Sequence, residues 1–135
     1  MADSSTQSVL FSGLIDRSLV AMFDRPHASS DGGALLLRAA DHRLGLMAAL
    51  TGCLQDTRDP AKVRHGLDEL LAQRVYGVAC GYEDANDAAR LGDDPIHKLL
   101  LGRDAIHGDT LASQPTLSRF EIGRASCRER VWIPV

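Results

Sequence analysis

Aromatic residues make up only 4% of this chain of 135 residues, and its single Trp is Trp132, close to the carboxyl end. A core assembled here must therefore come from Leu, Val, Ile and Ala. Basic residues are not in excess: the formal charge of −3 gives no support to non-specific nucleic-acid binding by the chain itself. No apolar run approaches the roughly 20 residues of a membrane span. The run Val9–Phe11 is too short for a signal peptide, and the start MADSST carries an acid but no base, so the expectation is a soluble, unexported, cytoplasmic protein with no membrane partner. Cysteine is sparse. Cys53 and Cys80 show no CxxC spacing, which predicts reduced thiols in an intracellular core. His27, His42, His65, His97 and His107 are scattered with no HxxxH, so spacing indicates no zinc site.

What is present reads as mainly α, with a short amino-terminal β-hairpin. Ser8–Phe11 and Leu19–Phe23 are strand-like runs separated by the turn-rich Gly13–Ser18. The loop Pro26–Gly33 precedes a helix predicted over Ala34–Arg43, with Ser30 or Asp31 as its cap. A second short helix starts at Met47–Leu54. Asp59-Pro60 is a cap followed by proline, and it predicts a helix from Ala61 to about Ala79. Val63, Leu67, Leu70, Leu71, Val75 and Val78 recur there at helical spacing and define one apolar stripe. Arg74 falls inside that stripe and needs a partner, since an unpaired buried charge is costly. Asp84 or Asp87, in the acidic turn that follows, is the expected one. Asn86–Leu91 and Pro95–Leu101 are further helices, the second capped by Asp94.

The acids do not form a catalytic pattern. Asp59 and Asp94 sit where caps belong, and no Ser, His and Asp are spaced as a triad. The sequence therefore assigns no catalytic residue and no metal ligand. One stretch carries a binding hypothesis: Ser113, Thr116, Ser118 and Arg119 open the helix begun at Gln114-Pro115, in the manner of a recognition helix. Hydroxyls near a helix N-terminus reach phosphates and base edges, and Arg adds a bidentate donor. Thr116, Ser118 and Arg119 are thus candidate DNA-binding residues, with Pro95–Leu101 as the bracing helix. A capped surface helix with a polar first turn accounts for the same residues. Lys62, Arg64 and His65 form a smaller basic face that solvation also explains.

Beyond Phe120 the character of the chain changes. Glu121–Val135, EIGRASCRERVWIPV, does not continue the preceding pattern. Over Glu121–Val131 it resembles a single-frame translation of the adapter ligated to fragments in short-read sequencing libraries. A tail of that origin stands outside fold reasoning. The expected organisation is a disordered start, 1–7; a helical region, 8–120, cut one turn into its last helix; and a non-native tail, 121–135.

Gln7–Phe120 resembles the amino-terminal region of bacterial insertion-sequence transposases of the DDE group 1 class. The resemblance runs through VLFSGL at Val9–Leu14, FDRPHASSDGGALLL at Phe23–Leu37 and KVRHGLDELLAQRVYGVACGYEDANDAARL at Lys62–Leu91. It continues through DDPIHKLLLGRD at Asp93–Asp104 and LASQPTLSRFE at Leu111–Glu121. It implies a parent enzyme that cuts and rejoins transposon-end DNA, with three carboxylates on an RNase H-like α/β body holding divalent ions such as Mg²⁺. None of those carboxylates maps onto this sequence, and Asp93-Asp94-Pro95 reads as a helix cap. The implied partners are transposon-end DNA and other transposase subunits, with weak or no DNA binding and no activity by this chain alone. A non-catalytic helical module that represses or titrates a full-length transposase is the alternative.

Overall fold

Aspartate-proline pairs set two of the helix starts. Asp94 accepts from the backbone N–H of Ile96 and His97 at 2.9 and 3.0 Å, and Asp59 accepts from that of Ala61 at 3.1 Å. Each satisfies donors that a helix start leaves without partners. A computed structural model describes Gly13, Leu14, Leu19 and residues 28–128, the last five of these, 124–128, as helical backbone. Its helices are α1 (Ala34–Leu44), α2 (Leu46–Gly52), α3 (Leu67–Ala79), α4 (Ala88–Leu91), α5 (Pro95–Leu100) and α6 (Gln114–Arg128). Short 3₁₀ turns at Pro60–Lys62 and Ala85–Asp87 precede α3 and α4. Among the described residues the fold is helical and contains no strand. Apart from Gly13, Leu14 and Leu19, the predicted hairpin lies outside them, as does the start, 1–7.

Helix α3 is the hub. On one side it packs against α1, α2 and α5, and on the other against α6. The first core cluster joins Ala34 and Leu35 of α1, Tyr76 of α3, and Leu99 and Leu100 of α5, with Leu19 packed against it. The second joins Leu70 of α3 with Ala85, Ala88, Ala112 and Leu117, and half-buried Phe120 leans on it. Two glycines make the chain turns possible. Gly45, at φ 65°, ends α1 by donating to the Asp41 carbonyl. Gly81, at φ 94°, ends α3, where its N–H reaches Val78 and that of Tyr82 reaches Gly77. That paired closure is open to glycine because the left-handed backbone carries no Cβ penalty there.

Several sequence expectations are corrected. The helix expected over Ala61–Ala79 is broken: the backbone leaves helical geometry at Val63 and α3 starts only at Leu67, after the extended Gly66. The buried face of α3 is also rotated from the expected stripe. Leu67, Leu70, Gln73, Tyr76 and Gly77 are buried, whereas Val78 is 47% exposed. Gln73 takes an interior place because its amide meets the backbone of Ala112 in both directions, at 2.9 and 3.1 Å. A buried amide so satisfied costs little to enclose. Neither Ser30 nor Asp31 caps α1 with its side chain. Asp31 is drawn instead to His97, 2.9 Å away. Cys53 is exposed and Cys80 half-buried, so neither thiol is fully enclosed. Finally, α6 runs through Phe120 and Glu121 without interruption as far as Arg128.

Candidate nucleic-acid interface

The start of α6 is held by polar contacts from distant parts of the chain. Gln73 grips Ala112 as described, and the Leu111 N–H donates to the Gly92 carbonyl at 3.0 Å. Arg103 donates to the carbonyls of Asp109 and Thr110 at 3.0 and 2.7 Å, and its other nitrogens meet the Glu69 carboxylate. Glu69 also lies 3.2 Å from His65 Nδ1. The Thr110 hydroxyl donates to Asp93 at 2.9 Å, an interaction that, with Lys98, keeps the Asp93 carboxyl below its ordinary range. The loop that separates α5 from α6 is therefore a fixed lead-in. Sequence reading did not single out Gln73 or Arg103. Their signals were an amide on an otherwise apolar helix face and an arginine just past a helix end.

On this platform the candidate residues are placed as follows. Thr116 is half-buried, and its hydroxyl lies 3.2 Å from the Ser113 hydroxyl. Ser118 accepts from the Gln114 side chain at 2.9 Å, which leaves its own O–H free to donate. Arg119 is exposed and has no ion-pair partner among the described residues. The first turn of α6 contains no acid, so nothing within it repels a phosphate. Free amides contribute little here. Pro115 has no N–H, and those of Thr116 and Leu117 both donate to the Ser113 carbonyl at 3.0 Å. Attraction for an anion therefore rests on the helix dipole and on side chains.

Helix α6 packs against α3, α4 and the Ala85–Asp87 turn, whereas α5 packs against α3 and α1. The bracing of α6 thus comes from α3 and α4, and α5 is not the first helix of a compact helix-turn-helix with it. Arg74 is half-buried and fully engaged, but its partners differ from those expected. It pairs with Glu121, donates to the Tyr82 carbonyl at 3.0 Å, and reaches the Glu83 carbonyl. Asp84 instead accepts from Asn86, backbone at 3.0 Å and side chain at 2.7 Å, which lowers its pKa, with Arg74 adding a smaller pull. The contact with Glu121 was not legible, because that residue lies 47 positions from Arg74 in the segment set aside as foreign.

Residues 11–130 match the family model described as transposase DDE domain group 1. No curated protein and no solved structure matches the chain. The match covers most of the sequence and continues past Phe120, and the chain belongs to this family of transposase DDE domains. The family implies a divalent metal, DNA and subunit partners for the intact enzyme. Among the described residues, the ligand-type side chains close enough to share one ion are Asp31, Cys80 and His97, a group with a single carboxylate that does not supply the carboxylate set such a site needs. No described helix is long and apolar enough to cross a membrane.

Proposed function

We propose that this chain serves DNA transposition as the helical amino-terminal region of a DDE transposase. In this reading transposon-end DNA is met at the start of α6 by Thr116, Ser118 and Arg119, and strand chemistry belongs to carboxylates outside this region. The supporting observation is Arg119, an exposed guanidinium with no ion-pair partner among the described residues, in the early turns of a helix whose lead-in is clamped from α3. Such a rigid mount is what a bidentate contact to phosphate or guanine requires. A non-cutting role is consistent with the described ligand-type cluster holding one carboxylate, since two-metal chemistry needs carboxylates converging on ions about 4 Å apart.

The test is end binding by the full-length transposase, followed by fluorescence anisotropy at several salt concentrations. Arg119→Ala should weaken binding by about 1–3 kcal/mol if Arg119 reads a base, or lower the salt slope by about one if it meets a phosphate. Unchanged affinity and slope would return α6 to a packing role. The present chain should bind end DNA weakly and should not cleave it with Mg²⁺ or Mn²⁺. Metal-dependent cleavage abolished by replacing an Asp in this chain would overturn the non-cutting assignment.

A further inference from the structure

Away from α6, three residues of different chemistry meet where the loop before α1, the end of α3 and the start of α5 come together. Asp31, Cys80 and His97 each place a ligand atom within 4.8 Å of the others. His97 is wholly enclosed, at 0% exposure, and its Nε2 lies 2.9 Å from Asp31 Oδ2. Nε2 is the ring atom that faces Asp31, so it is the one a shared ion would use; Nδ1, on the far edge of the ring, is buried and has no hydrogen-bond partner. Tyr82, held by the Gly81 turn, sets its ring edge-on to the His97 ring at 5.9 Å and walls the group. Ser29 binds Asp94 at 3.0 Å and its hydroxyl accepts from the Asp31 N–H at 3.2 Å, which fixes the loop that brings Asp31 in.

We infer that Asp31, Cys80 and His97 form a binding site for one zinc-class divalent cation, separate from the metal chemistry the family implies. Thiolate and imidazole are ligands for Zn²⁺ or Co²⁺, whereas Mg²⁺ demands an octahedral shell of oxygens. Tetrahedral zinc bonds of roughly 2.0–2.3 Å put ligand atoms about 3.3–3.7 Å apart, so the longest separations need to shorten by about 1 Å and the Asp31–His97 pair to open slightly. Binding releases the Cys80 thiol proton to solvent, and the proton lying between His97 Nε2 and Asp31 passes to Nδ1. Burial and the nearby Asp31 and Asp94 carboxylates hold that thiol above its ordinary pKa, and a cation would offset the same negative field. Three protein ligands leave the fourth position to water or another small ligand. The ion would tie the loop before α1 to α3 and α5, around the first core cluster. Sequence spacing could not reveal the set, because Asp31 and His97 stand 66 residues apart.

The probes are Zn²⁺ and Co²⁺ alone, added to the full chain after chelation and dialysis. The expected result is one ion per chain by elemental analysis, a thiolate-to-Co²⁺ charge-transfer band in the near ultraviolet, and a thermal midpoint that rises with Zn²⁺ up to equivalence. Cys80→Ala should remove the band and weaken binding about tenfold or more. Cys53→Ser and Cys127→Ser should change neither. Because His97 is enclosed, His97→Gln is read only beside a far-ultraviolet spectrum matching wild type, and Cys80→Ala carries the decision where it does not. Sub-stoichiometric binding by the wild type, or a band that survives Cys80→Ala or vanishes with Cys53→Ser or Cys127→Ser, overturns the site.

Discussion

The two sides of α3 solve the same packing problem differently. Toward α6, the second core cluster is ringed by long-range polar bonds: Gln73 to Ala112, Arg103 to Glu69 and the 109–110 carbonyls, Arg74 to Glu121. Toward α1 and α2, Ser29–Asp94 and Asp31–His97 tie the loop before α1 to α5, but along the helices themselves apolar surface is plentiful and much of it stays exposed. Leu36, Leu37, Leu44, Leu46 and Leu50 are all large exposed hydrophobics, and α2 has no buried residue. Directional bonds specify one arrangement, because each unmatched buried partner is penalised. Leucines alone tolerate several arrangements. The α6 side is therefore expected to be the better-defined half, and the α1–α2 side the half whose apolar face lacks cover among the described residues.

The largest blow to that comparison should come from Leu70→Ala. Leu70 is 1% exposed and lies in the second cluster, and removing such a side chain costs about 2–5 kcal/mol through lost burial and a cavity. Urea unfolding of the two proteins measures it. A loss below about 1 kcal/mol would mean that the interior is loose enough to collapse around the gap. Next is Gln73→Ala, which strands both the N–H and the carbonyl of Ala112. Each stranded group costs about 1–3 kcal/mol when it cannot reach water, so a total of about 2 kcal/mol or more is expected. Hydrogen exchange should locate the loosening at Leu111–Leu117. Exchange left unchanged there would show that the lead-in to α6 is held by apolar contact alone.

Arg74→Ala should follow, at roughly 1–3 kcal/mol, because it frees the Tyr82 and Glu83 carbonyls as well as Glu121. The Glu121 side chain is 39% exposed, and exposed pairs are worth about 1 kcal/mol or less. Glu121→Gln should therefore cost much less than Arg74→Ala. Equal losses from both substitutions would make the ion pair, and not the carbonyl contacts, the anchor of the 82–83 turn.

What could be read in the sequence was local. Asp59-Pro60 and Asp94-Pro95 announced their helix starts, because a cap and its amides lie within three residues. The wish of Arg74 for partners was readable from its place on α3, but their identity was not. The apolar stripe through Val63 misled because spacing says nothing of Gly66, which lets the backbone leave the helix. It also put Val78 inside and left Gln73 unmarked, since a polar residue becomes a core residue only when a distant backbone, here Ala112, meets it. Asp31 with His97 follows the same logic. Local competition among hydrogen bonds is written in neighbouring residues, whereas long-range matches exist only after the helices have docked.

The smallest effect should separate the two halves most clearly. Leu44, at 77% exposure, ends α1 just before Gly45. Gln has nearly the helix propensity of Leu, so Leu44→Gln removes apolar surface while disturbing the backbone little. With so little of Leu44 buried, the change in unfolding free energy should stay within about 0.5 kcal/mol. The variant should also be more soluble, because the neighbouring leucines then form a smaller patch. A loss comparable to that of Leu70→Ala would break the comparison, since it would mean that something covers this face in solution. Repeating the unfolding at several protein concentrations then decides what does: a midpoint that rises with concentration indicates a second copy of the chain. A constant midpoint indicates a segment of the same chain. In either case α1 and α2 would be half of an interface and not a bare surface.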